Sequence, residues 1–178
     1  RHTGGRFICY FRFDCIPGGF IVKVTKHFTC SELVVTGCPW ENEPDIAAWI
    51  NLTRLCCRVL EPLRLFAGPL RITSGYRNPR TNQEVGGAEK SAHLYGRAAD
   101  IIPMVSSLNA LDLLLMLERS DIRFDKAILE YRGRTPWLHT QIRDVTREPR
   151  RELLMSLEAG QFEKFNEYDP RLDQWRQR

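Results

Sequence analysis

The stretch Ser91-Ala92-His93-Leu94-Tyr95-Gly96-Arg97-Ala98-Ala99-Asp100 constrains this chain more than any other. It sets a histidine and an aspartate on either side of a glycine, and a second histidine, His139, follows further along. Imidazole nitrogen and carboxylate oxygen are donors that zinc prefers, and a catalytic zinc site uses three protein ligands so that a fourth position stays open. His93, Asp100 and His139 are such a set. Taken singly, each has a plainer reading: a lone histidine is more often a surface or satisfied core residue, and Asp100 could simply end a strand. Gly96 offers the backbone freedom needed to turn between His93 and Asp100. Ala98 and Ala99 are expected to leave room beside a metal.

Around this stretch the chain alternates helix and strand signals. Thr29-Cys30-Ser31-Glu32 is a capping-box pattern, so a short helix is expected to begin there. Pro44 suits an early helical position. Ile46, Trp49, Ile50, Leu52, Leu55, Val59 and Leu60 recur at three-to-four spacing, which predicts the main core helix, ending before Gly68-Pro69. Leu70 and Ile72, alternating with Arg71 and Thr73, predict a strand that runs into Ser74-Gly75-Tyr76-Arg77. Asn78-Pro79 and Gly86-Gly87 bracket a loop or short helix. Asp100 is expected to open an apolar strand halted by Pro103. Ser106 or Ser107 can then cap a helix with a stripe of Leu108, Leu111, Leu114, Leu115 and Leu117. Residues 125–131 and 137–142 predict a hairpin, with Ala127, Leu129, Leu138 and Ile142 on one face. Residues 143–178 are charged but balanced, and Leu153, Leu154, Met155 and Leu157 suggest a helix packed on the body.

Length and composition bound the rest. A chain of 178 residues, 43% of them hydrophobic, is long enough for one cored domain and short for two. No apolar run reaches the roughly 18–20 residues a membrane span needs, and residues 1–25 show no clean signal-peptide pattern. The latter read as an N-terminal extension of short β-prone pieces around Pro17-Gly18-Gly19. The formal charge of +4 is carried within the first 29 residues, leaving the remainder neutral. No basic stripe of the kind that marks a nucleic-acid binder is evident, and a nucleic-acid partner is not expected. The six cysteines all lie in the first third. Adjacent Cys56 and Cys57 and the lack of close C-x-x-C spacing argue against both a disulfide framework and a structural zinc knot, so reduced thiols are expected.

The run S-x-H-x-x-G-x-A-x-D, with Ser74-Gly75-Tyr76-Arg77 before it and Trp137-Leu138-His139 after it, resembles the zinc D-Ala-D-Ala carboxypeptidase family, above all its small phage-type peptidoglycan peptidases. The likeness covers roughly Lys26 to Ile142. It implies zinc held by His93, Asp100 and His139. It also implies an α+β fold shared with the Hedgehog signalling domain, with a small antiparallel sheet carrying the metal site and helices packed against it. The peptidase domain is accordingly placed at 26–142 and a charged helical extension at 143–178. The resemblance also turns Arg77 from a surface arginine paired with Glu84 into a candidate to hold a substrate carboxylate through two parallel hydrogen bonds. Ser74 and Ser91 are expected beside the substrate, with Ser91 orienting the loop or donating to the site.

At one point the chain departs from that family, which places its catalytic acid three residues before the second histidine, where this chain has Pro136. A hairpin register pairing Glu130 with His139 would set a carboxylate beside the ligand, since opposed residues have Cβ atoms about 4.5–5.5 Å apart. Glu130 is therefore the expected general base. The activity expected is zinc-dependent cleavage of peptidoglycan stem peptides, as a D-Ala-D-Ala carboxypeptidase or an endolysin-like endopeptidase. The chain is expected to act as a monomer made in the cytoplasm and reaching the bacterial wall later. The alternative is a module that keeps the metal but not the catalysis and serves wall binding or virion assembly. The missing acid at position 136 favours it, and fold alone does not exclude it.

Overall fold

The computed structural model describes residues 22–158 and 161–176. The β-prone pieces expected around Pro17 to Phe20 lie outside the described residues. Among those described, no helix is long and apolar enough to cross a membrane.

The first helix, α1 (Cys30–Leu33), starts as its sequence dictates. Thr29 accepts from the Glu32 amide while the Glu32 carboxylate takes the Thr29 amide, so two otherwise orphan donors are satisfied. The long helical segment runs as α2 (Ile46–Leu55), a π-helical stretch over Cys56–Leu60, and α3 (Glu61–Ala67). Its N-cap is Asp45, which accepts from the Ala48 amide, so Pro44 lies just outside the helix and not in its first turn. Leu52, Leu55, Val59 and Leu60 are buried, but Ile46 and Ile50 are exposed, so the buried stripe is narrower than the apolar one. The π stretch has a local cause. Pro62 has no amide to donate and its ring would press on the carbonyl four residues back, and widening the preceding turn, with the Glu61 amide bonded to the Cys56 carbonyl, relieves that clash.

Among the described residues, six strands form one sheet in the order β1 (Leu70–Ser74), β2 (Ala98–Pro103), β4 (Trp137–Gln141), β3 (Lys126–Glu130), β5 (Glu152–Ser156), β6 (Glu163–Lys164). The fold is α+β, and the sheet is antiparallel except where β5 runs parallel to β3. Strand β2 begins at Ala98, so Asp100 sits in its interior and does not open it, and Pro103 is its last paired residue, opposite Leu70. The segment bracketed by Asn78 and Gly86 is helix α4 (Pro79–Glu84). Ala99, Ile101, Ala127, Leu129, Leu138 and Met155 share the face that packs into the core with α5 (Ala110–Glu118). Asn109, not Ser106 or Ser107, caps that helix: it accepts from the Leu111 amide and Asp112 completes a capping box, leaving Leu108 outside.

The helix expected over Leu153–Leu157 is a strand. Pro149 just ahead of it and only four closely spaced apolar residues leave too little sequence for a packed helical face, whereas β3 offers an unfilled edge for pairing. Among the described residues of the C-terminal segment, helix is confined to a 3-10 turn and α6 (Asp173–Arg176), which buries Trp175.

Candidate metal centre

Alternation along the strands sends Asp100, His139, Ile128 and Glu130 to the sheet face opposite the helical core. Asp100 and His139 are directly opposed across β2 and β4. At the end of β1 a bulge between Ile72 and Ser74 shifts the register, so that Ser74 rather than Thr73 opposes Asp100. The bulge thereby brings the Ser74-Gly75-Tyr76-Arg77 turn onto the ligand face. Gly75 has to be glycine there, because a Cβ would overlap the Leu33 carbonyl of α1. Its own carbonyl then accepts a 2.6 Å hydrogen bond from His93 Nδ1.

His93 rides on a 3-10 turn, Ala92–Tyr95, whose N-cap Ser91 accepts from the His93 amide. The turn ends at Gly96 in the left-handed region, φ 64°, where a Cβ would lie 2.4 Å from the Ala48 carbonyl oxygen of α2. No other residue fits that place without strain. The chain then enters β2 and delivers Asp100. Ala98 faces the ligand side, but Ala99 belongs to the core, so only one of the two alanines borders the site.

The three groups converge. His93 Nε2 lies 3.2 Å from Asp100 Oδ1 and 3.2 Å from His139 Nδ1, and His139 Nδ1 lies 2.9 Å from Asp100 Oδ1. Zinc bonds of about 2.0–2.1 Å in a tetrahedron require ligand atoms about 3.3 Å apart. Two nitrogens and one carboxylate oxygen at these separations fit that ion without rearrangement. All three residues are buried. A carbonyl can only accept, so the 2.6 Å contact to Gly75 places the His93 proton on Nδ1 and leaves Nε2 as the donor atom for a metal. Burial alone would raise the Asp100 carboxyl, but the two imidazoles outweigh it and hold it far below the usual carboxylate range. Burial lowers His93, whereas the Asp100 hydrogen bond and charge carry His139 upward against its own desolvation.

Arg77 does not pair with Glu84. Its Nη2 donates to Asp100 Oδ2 at 2.6 Å and its Nε to Ser74 Oγ at 2.7 Å, so it braces the carboxylate oxygen turned away from the histidines. Asn42, which the sequence did not single out, clamps the same turn: it donates to the Val34 and Tyr76 carbonyls and accepts from the Asn78 amide. No short motif announces such a residue.

The expected hairpin register is corrected by two residues. Ile128, not Glu130, opposes His139, and Glu130 opposes Trp137. A two-residue shift preserves the face, so Glu130 is a diagonal neighbour of His139 at roughly 7–8 Å between backbones, within reach of a long side chain. Burial pushes the Glu130 carboxyl up, and the nearby Asp100 charge adds to this, while His139, Arg132 and Arg77 pull it down. Arg132 also donates to it at 3.1 Å.

A buried His2Asp set on one face of a mixed sheet, fed by a 3-10 turn and two neighbouring strands, is a group that could hold one metal ion. Residues 26–140, well over half the chain, match the family described as Peptidase M15, and the chain belongs to that family. A zinc D-Ala-D-Ala carboxypeptidase of Streptomyces albus G is 32% identical to it over 91 residues, covering 49% of this chain and 32% of that protein. The aligned stretch thus spans about a third of that relative's length.

Proposed function

We propose that this chain is a zinc-dependent peptidase that cleaves peptidoglycan stem peptides, either at a terminal D-alanyl bond or at a cross-bridge. The observation that carries the reading is the convergence of His93 Nε2, His139 Nδ1 and Asp100 Oδ1 on one buried point of the sheet face that also bears Glu130. A zinc ion held by those three atoms supplies Lewis-acid polarisation of the scissile carbonyl and acidifies water beside it.

The chain's own residues supply the rest. Glu130, pushed upward by burial, accepts a proton from the attacking water and returns it to the departing amine, so that the bond to nitrogen breaks as a neutral amine leaves. Both imidazoles favour the charged form of Asp100 and hold its carboxyl well below the usual carboxylate range, against its own burial. Arg77 fixes the plane of that carboxylate and, with Nη1 outside its bonds to Asp100 and Ser74, can offer a donor to a substrate carboxylate. Ser74 and Ser91 serve the substrate by holding Arg77 and the His93 turn in place.

Purified peptidoglycan and a peptide ending in D-Ala-D-Ala, each incubated with and without a chelator, test the reading. Release of new amino termini or of free D-alanine, lost on chelation and restored by zinc, is the expected result. Binding without any release would leave a metal-holding module without catalysis, the reading that Pro136 in place of the usual acid favours.

A further inference from the structure

His139 presents a second ring nitrogen on the side away from Asp100, and a run of hydrogen bonds leads from it to Arg150. Nε2 lies 3.3 Å from Gln141 Oε1. The Gln141 amide nitrogen donates in turn to Asp125 Oδ2 at 3.1 Å. Asp125 is 1% exposed and accepts from Arg150 three more times, from its amide at 3.1 Å, its Nε at 3.0 Å and its Nη2 at 2.7 Å. An ionised carboxylate can only accept, and Asp125 is held ionised: burial works against its charge, but the Arg150 bonds more than offset it. Gln141 must therefore turn its NH2 toward Asp125 and its oxygen toward His139. That oxygen accepts a hydrogen bond from Nε2, so in the neutral ring that a metal requires it is the Nδ1 lone pair that faces Asp100 Oδ1 and His93 Nε2.

We infer that Gln141, oriented by Asp125 and Arg150, is a positioning residue that selects the His139 tautomer able to bind metal through Nδ1. Its counterpart at His93 is the Gly75 carbonyl, which performs the same selection from the other side. Outer hydrogen bonds of this kind fix ring orientation and ligand basicity, and their loss typically costs about 10–100-fold in metal affinity. Gln141 and Arg150 both lie beyond the residues 26–140 that match the family. The segment leading into β5 thus reaches back through three side chains to a metal ligand.

The inference rests on the zinc reading above, and the test separates the two. Zinc affinity of the full chain is measured by competition with a chromophoric chelator, for the wild type and Gln141→Met. Methionine keeps the length of the side chain and has no good acceptor, so it is expected to weaken zinc binding by about tenfold or more. The zinc-loaded wild type is examined in parallel by imidazole nitrogen NMR, where His139 should carry its proton on Nε2. Equal affinity of Met and wild type, or a His139 proton on Nδ1, would each overturn the inference. A wild type that binds no zinc would overturn the metal reading itself. The NMR result stands even if a variant fails to fold.

Discussion

Glu130 carries the most exposed commitment at the scale of single residues. Glu130→Gln keeps its shape and removes the base, so zinc should remain bound while turnover falls about a hundredfold or more, measured side by side as metal content and peptide hydrolysis. Since a base must be ionised to act, the rate should climb with pH through the Glu130 pKa, and the Arg132 cation is among the charges that hold that value down. Arg132→Met should accordingly move the acid limb of the kcat/KM profile to higher pH. A limb that stays in place, or moves down, would remove Glu130 from the base role. Arg77→Lys keeps a charge but loses the planar fork that spans Ser74 and Asp100 together. Both zinc affinity and kcat/KM should fall, whereas a pure substrate contact would lower only the latter.

Between elements, the His93 turn is fitted closely against α2 at Gly96. Gly96→Ala combines a left-handed backbone with a Cβ driven into the Ala48 carbonyl, and should cost about 2 kcal/mol or more in denaturant unfolding. What could be read from the sequence at this scale was whatever is decided locally. The Thr29 capping box, the alternation of Leu70 to Ser74 and the turn at Gly96 each depend on residues within a few positions of one another, and the structure shows them where expected. Strand β5 was not readable, since its residues are apolar without alternation and its parallel partner β3 is separated from it in sequence by β4. Asn42, Asp125 and Gln141 were missed for a related reason: each is an ordinary polar residue until tertiary structure surrounds it with acceptors and donors. The register of Glu130 fell in between. Polarity told which face it takes, because only one face tolerates a carboxylate. The loop from Arg132 to Pro136 had to set the register itself, and its geometry left Glu130 two residues from the position predicted.

For the molecule as a whole, the metal is expected to be a fastener as well as a reagent. His93, Asp100 and His139 come from a turn and two strands, so an ion bound only by the folded state should stabilise it by about 2.7 kcal/mol at a hundredfold excess over its Kd. For a chain of 178 residues this corresponds to a melting midpoint roughly 5–10 °C higher with zinc than with chelator, which a thermal scan of the two forms would check. The parallel pairing of β5 with β3 bears on how the protein comes into being. The strand bearing Glu130 enters the sheet with one bare edge, and its second neighbour, residues 152–156, is translated only after all three ligands have been made. At roughly 5–20 residues per second, a ribosome leaves that edge unpaired for about a second or more. A growing chain can thus bring its three candidate metal donors into being before β5 covers the free edge of β3.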